Sequence, residues 1–201
     1  MKDKLLPVVE EFYSIQGEGF HTGKPAYFIR LGGCDIGCSW CDTKYSWSAE
    51  LHPMKDISEL IASTLDSGTD SVVVTGGEPL MWNLDLLCNG LKRHGIMTFL
   101  ETSGAYPLSG TWDWICLSPK VNNQPTRGIY NLADELKIIV QVNTDFEWAE
   151  KNRDLVKKEC HCYLQPEWSN YHEIIPEIVK YVKKGSGWKI SLQTHKFMHI
   201  P

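Results

Sequence analysis

The sequence has no run approaching the roughly 18–20 consecutive apolar residues of a membrane span, and no block of lysines or arginines, internal repeat or low-complexity tract. The first absence argues against a spanning helix. The second argues against nucleic acid as the main partner, because a phosphate backbone is gripped by a basic face, and here the formal net charge is -5. The N-terminal stretch MKDKLLPVVEEFYS shows no apolar segment followed by a small-residue cleavage site, so the expectation is a cytoplasmic chain. Seven cysteines are an odd number, which leaves no complete disulfide framework and fits the same reducing compartment. No linker-like shift of composition divides the 201 residues, so a single domain over 1–201 is expected. Its partner is expected to be a small molecule, with neither nucleic acid nor membrane involved.

What is present is an alternation of short β-branched runs with amphipathic stretches. Residues 26–32, 71–75, 96–101, 114–118, 136–141, 160–165 and 188–193 read as strands. Residues 56–66, 83–95, 144–159 and 171–184 read as helices. In the first helix Ile57, Leu60, Ile61 and Leu65 are expected on one face, with Asp56 as its cap. Gly95 would stop the second helix. Such alternation predicts an α/β fold with a mostly parallel sheet and helical crossovers. Small or polar clusters follow the strands: the cysteine loop, GGEP, TSG, PK, PEW and THK. In βα-barrels the loops at the C-terminal strand ends carry the chemistry. With about seven strands, where a closed eightfold barrel takes ~250 residues, a partial, splayed βα-barrel is predicted.

GGCDIGCSWCDT, residues 32–43, gathers Cys34, Cys38 and Cys41 within eight positions. Soft thiolates select zinc or an iron–sulfur cluster. Three ligands leave one coordination position open, or require a distant fourth such as Cys160, Cys162 or His21 in a zinc site. Cys88, on a helix face, and Cys116, in a strand, read as buried small hydrophobes. Cys160 and Cys162 are taken to alternate along their strand and to point to opposite faces.

The C-x3-C-x2-C spacing, Trp40 before the third cysteine and the glycine-rich TGGEP at 75–79 resemble the radical S-adenosylmethionine (SAM) enzymes. QGEG at 16–19, CDT at 41–43, ETSG at 101–104, SPK at 118–120, QPEW at 165–168 and the terminal QTHKFMHIP together resemble the 7-carboxy-7-deazaguanine synthase family. That resemblance runs from residue 10 to the last residue.

It implies a carbon–nitrogen lyase acting on 6-carboxy-5,6,7,8-tetrahydropterin in deazapurine and queuosine biosynthesis. A 5′-deoxyadenosyl radical removes a hydrogen, the ring contracts and ammonia leaves. The implied cofactors are a [4Fe-4S] cluster on Cys34, Cys38 and Cys41, SAM, and Mg2+ on Thr43. Trp40, Cys41, Asp42, Gly77, Ser118, Pro119, Lys120, Gln165, Pro166, Glu167 and Trp168 are implied for SAM. Ile15, Gln16, Gly17, Glu18, Arg30, Thr75, His195 and Pro201 are implied for the pterin, with Arg30 on its carboxylate. Glu18 and His195 are the catalytic candidates. The family also implies a homodimer and an external donor of flavodoxin or ferredoxin type. Two other readings stay open on the residues: a small radical SAM activase of glycyl-radical enzymes, and a zinc-stabilised binding module. The terminal Phe197, Met198 and Ile200 are expected to be buried as the tail folds over the pterin.

Overall fold

The computed structural model describes residues 4–201. Among these residues nine strands form one sheet: β1 (Leu5–Ile15), β2 (Pro25–Leu31), β3 (Met54–Asp56), β4 (Ser71–Gly76), β5 (Met97–Thr102), β6 (Trp114–Leu117), β7 (Glu135–Val140), β8 (His161–Pro166) and β9 (Lys189–Ile190). Their order is β3-β1-β2-β4-β5-β6-β7-β8-β9. From β2 through β9 neighbours are parallel, and β1 is antiparallel to both β2 and β3. The helices are α1 (Ile57–Asp66), α2 (Asp85–Arg93), α3 (Asp145–Arg153), α4 (Tyr171–Lys183) and α5 (Thr194–Met198). None of the described helices is long and apolar enough to cross a membrane.

Side chains in a strand alternate between faces, and here the two faces have different tasks. Ile29 and Leu31, Val72 and Val74, Leu136, Ile138 and Val140 belong to the main core under the helices. The residues between them face the concave side of the sheet. At its base Ala26, Phe28, Val73 and Phe99 make a second small core, with Phe12 stacked on Phe28 at 5.2 Å. Further along the same faces stand Arg30, Thr75, Glu101, Lys137 and Gln165, all lining a cavity.

Several expectations are corrected. β1 and β3 bring the strand number to nine among the described residues. β1 hides from a period-two reading because its pairing with β2 slips between Val8 and Glu10. The last strand shrinks to Lys189–Ile190, and THK forms α5 instead of a loop. The third helix ends at Arg153. In α1 the Asp56 carboxylate does accept from the Ser58 N–H at 2.8 Å, but Leu65 is 37% exposed and Thr64 is buried in its stead. Thr64 lies two turns beyond Ile57, whereas Leu65 has rotated about 80° away. Cys88 and Cys116 are buried as expected. Cys160 and Cys162, two residues apart, share a face: both are buried in the main core, and the Cys162 thiol donates to the Cys160 carbonyl.

The sheet does not close on itself. The loop after β1 bridges the gap. The Gly19 N–H donates to Ser191 Oγ at 2.9 Å, and the Thr194 N–H donates to the Gly17 carbonyl at 2.9 Å. Phe20 and His21 then stack among Phe99, Trp114 and His161 at the N-terminal ends of β5, β6 and β8. QGEG thereby becomes part of the barrel wall.

Candidate active site

The loops following β2, β4, β5, β6 and β8 converge with α5 on one cavity of roughly 270 Å3. Cys34, Cys38 and Cys41 line it from the loop after β2, with Trp40, Asp42 and Thr43. That loop is anchored by backbone. The Gly33 N–H donates to the Ser46 carbonyl at 2.7 Å and the Cys34 N–H to the Trp47 carbonyl at 3.0 Å. Gly76 and Gly77 lie against it so closely that a Cβ on Gly76 would overlap Leu31, and one on Gly77 would overlap Gly33 and Cys34. The glycine pair is therefore required by the cysteine loop itself.

The donor set suits a cubane better than a single ion. All three thiols are free and half-buried. Among the described residues no three His, Cys, Asp or Glu side chains converge as a mononuclear site requires. A cubane takes one thiolate per corner iron, so spread sulfurs from one short loop fit it. The distant zinc ligands are not available: Cys160 and Cys162 sit in the outer core, and His21 stacks on Phe99 at 4.4 Å. Thr43 Oγ1, 3.5 Å from Cys41 Sγ, is the hard oxygen beside the soft donors. It suits Mg2+ held mainly by substrate and water.

Gly77, Ser118, Lys120, Gln165, Pro166, Glu167 and Trp168 line the same cavity. Pro119 does not; it lines an adjoining cleft of roughly 120 Å3 with Trp40 and Lys120. Lys120 Nζ donates to Ser118 Oγ at 2.6 Å and stands 5.6 Å from the Trp40 ring centroid. The Glu167 carboxylate is engaged as a cap, accepting from the Ser169 and Asn170 N–H groups at 2.9 and 3.1 Å. This fixes Trp168 at the rim. Asp42 accepts from Lys196 Nζ at 2.7 Å, tying the cysteine loop to α5.

On the other side Ile15, Gln16, Gly17, Glu18, Arg30, Thr75, His195 and Pro201 line the cavity. Arg30 Nε donates to Glu10 Oε1 at 2.7 Å. A Cβ on Gly17 would strike the His195 ring, so only glycine admits it. Burial pushes the His195 imidazole below its ordinary range. Burial alone would raise the Glu18 carboxyl, but Lys137, with help from Gln193, holds it down to about 2. The tail does reach the site, Ser14 Oγ donating to the Pro201 carbonyl at 3.0 Å. It is not buried, however: Phe197 is 51% and Met198 46% exposed. Contacts with Trp168 and Tyr171 on the cavity rim hold Phe197 instead.

Sequence reasoning missed four participants, Glu78, Glu101, Lys137 and Gln193. Glu78, inside the GGEP motif, is fully buried and accepts from Thr102 Oγ1 (2.6 Å), Leu80 N–H (3.0 Å), Ser103 N–H (2.8 Å) and Ser103 Oγ. It locks the loop after β4 to the loop after β5. Lys137 donates to Glu18 at 2.6 Å and to Glu101 at 2.8 Å. Gln193 donates to Glu18 at 2.9 Å. A signal for Lys137 did exist: a lysine inside the apolar strand ELKIIV is almost never buried without partners.

Comparison with known proteins agrees with this geometry. Residues 28–157 match the model of the Radical SAM superfamily. The chain is 50% identical over 200 residues to a 7-carboxy-7-deazaguanine synthase of Flavobacterium psychrophilum, covering 100% of this chain and 95% of the relative. It is 46% identical to one from Synechocystis sp., covering 96% and 93%. The crystal structure of QueE from Escherichia coli superimposes with a TM-score of 0.83 at 28% identity, covering 94% of this chain and 93% of that one. A cysteine triplet opening on a shared cavity, full-length relatives and a common fold make this chain a member of the 7-carboxy-7-deazaguanine synthase family within the radical SAM superfamily.

Proposed function

We propose that this chain is a radical SAM lyase that converts 6-carboxy-5,6,7,8-tetrahydropterin to 7-carboxy-7-deazaguanine and ammonia, a step toward queuosine and related deazapurines. The product is the substrate less one ammonia, so the overall change needs no net oxidant. The observation that carries this reading is the polarity of one cavity. Arg30 stands on its β2 wall, Glu18 and Glu101 stand on its floor, and the three cysteines open into it. A ligand with a carboxylate at one end and a donor-rich ring edge at the other matches those groups.

The cluster and SAM, when bound, supply hydrogen-atom abstraction. The residues of the chain bind and aim. Arg30 keeps its Nη groups for the substrate carboxylate while Glu10 holds its Nε. Gln16 and Glu18 read the ring edge, and Thr75 and His195 flank it. Gly77, Ser118, Lys120 and the Gln165–Trp168 run shape the SAM side. Thr43 offers its hydroxyl to Mg2+ between the two. Pro201 lines the cavity beside the pterin.

A single domain is supported by one continuous sheet. The cytoplasm and a flavodoxin- or ferredoxin-type donor follow from the family reading. A homodimer is supported by the apolar edge at β3, where Leu5, Leu51 and Met54 are exposed. The deciding experiment is anaerobic reconstitution with iron and sulfide, then dithionite, SAM, Mg2+ and the carboxytetrahydropterin, with mass detection of product. A brown, SAM-binding protein that yields no carboxydeazaguanine would sink the proposal.

A further inference from the structure

On β7 the outward residues Leu136, Ile138 and Val140 enter the main core, while Glu135, Lys137 and Ile139 face the concave side. The Lys137 side chain is only 5% exposed. Its ammonium bridges two carboxylates from distant parts of the chain, Glu18 at 2.6 Å and Glu101 at 2.8 Å. Stability alone does not call for this. A buried ion pair can often be replaced by apolar packing of similar volume without loss. The trio has another property: both of its carboxylates line the cavity.

The partners on those carboxylates are all donors. Glu18 takes Lys137 on Oε2 and Gln193 on Oε1. Glu101 takes Lys137 on Oε2 and the longer Gln16 contact, 3.4 Å, on Oε1. A carboxylate has about four acceptor sites, so roughly two on each remain for a ligand. Two carboxylates and one ammonium leave a single net negative charge on the floor. A ligand seated there must bring N–H groups; a carbonyl in the same place would meet only lone pairs.

Resting on the proposed function, and deepening it, we propose that Lys137 is a positioning and specificity residue. It clamps Glu18 and Glu101 as a fixed pair of acceptors and thereby selects a ring edge carrying an amino group beside a ring N–H. The 2-amino-4-oxo edge of a pterin has that pattern, and it lies across the ring system from the carboxylate that Arg30 takes. A pteridine with oxygen in place of the 2-amino group presents an acceptor there and is rejected. A site built to bond a donor discriminates strongly against the analogue lacking it, because its own groups are left unpaired.

The test compares binding of the carboxytetrahydropterin and its 2-oxo analogue to reconstituted holoenzyme, by anaerobic calorimetry, alongside turnover. Wild type binds the pterin about 100-fold or more tightly than the analogue. In Lys137→Met the pterin Kd and KM rise about 100-fold and preference over the analogue falls to within about fivefold. SAM affinity and cluster iron stay near wild type, kcat changes less than KM, and Lys137→Arg recovers part of the preference. If Lys137→Met does not fold, the double variant Lys137→Met/Glu101→Gln, which keeps the net charge, is compared with Glu101→Gln alone, and a further fall in preference beyond that of the single variant is expected. Unchanged preference in a folded variant, or equal weakening of both ligands, overturns the role of Lys137. Wild-type enzyme that fails to bind the pterin at all overturns the functional reading itself, and this inference with it.

Discussion

Glu78 shows how a single carboxylate can organise a site it was not expected to organise. Its oxygens take four donors, and the residue is buried, with 1% of its surface exposed. Glu78→Ala would strand those donors, costing about 3 kcal/mol. In a domain of this size that lowers Tm by roughly 6–12 °C, which calorimetry of the unloaded protein would register. A loss under 1 °C would mean the loops hold each other without it. The cysteines make the complementary case. Cys34→Ala, Cys38→Ala and Cys41→Ala should each abolish cluster assembly, because the four remaining thiols are buried away from that loop. Cys88→Ala should keep full iron and sulfide content. Retained cluster and activity after loss of any of the three would refute their assignment. Thr43→Ala, which removes the oxygen beside Cys41, should weaken Mg2+ activation and pterin affinity while SAM binding stays close to normal. Magnesium titration of turnover reads this directly.

At the scale of elements the decisive piece is α5, five residues long and too short to be stable alone. It is held by hydrogen bonds from Thr194 to Gly17, by Lys196 on Asp42 and by Phe197 against Trp168. His195, the next residue of α5, packs against position 17 so closely that it needs a residue without a side chain there. Gly17→Ala should therefore displace His195 and raise the pterin KM severalfold with little change in Tm. Deleting residues 197–201 should do the same or more, whereas an N-terminal tag is tolerated. Wild-type KM in the truncated enzyme would show that the chain end takes no part. The tail acts through a few directed contacts, since most of the Phe197 and Met198 surface stays in water.

Over the whole molecule, acid is the sensitive direction. Burial, reinforced by Lys24, pushes the His21 imidazole below its ordinary value of 6.5, and its Nε2 has no partner among the described residues. As pH falls the unfolded chain takes up that proton first, so stability is intact above about pH 6.5 and declines below it. Glu18, held near 2, contributes in the same sense only at lower pH: its stabilisation is present above 4.5 and is lost on the way down to 2. Between pH 7 and 5 the wild-type Tm should fall more steeply than that of His21→Phe, which keeps the stacking on Phe99 and Trp114. Parallel slopes would remove His21 from the account.

The cysteine triplet, its open fourth position, the strand-and-helix alternation and the family motifs were legible because each is local. Spacing along a loop decides which thiols can share a cluster, and periodicity decides which face of a strand is apolar. Even the rim of loops followed from strand direction. Other features were illegible because their partners are remote in the chain. Lys137 meets Glu18 across 119 positions and Glu101 across 36. β1 became a strand only by pairing with β2 and β3, and Phe197 found its neighbours on the cavity rim instead of in a core. A buried charge is tolerated only where opposite charges and hydrogen bonds meet it in space. The sequence by itself therefore determined which chemistry this protein carries. Only the tertiary structure decided which groups hold that chemistry in place.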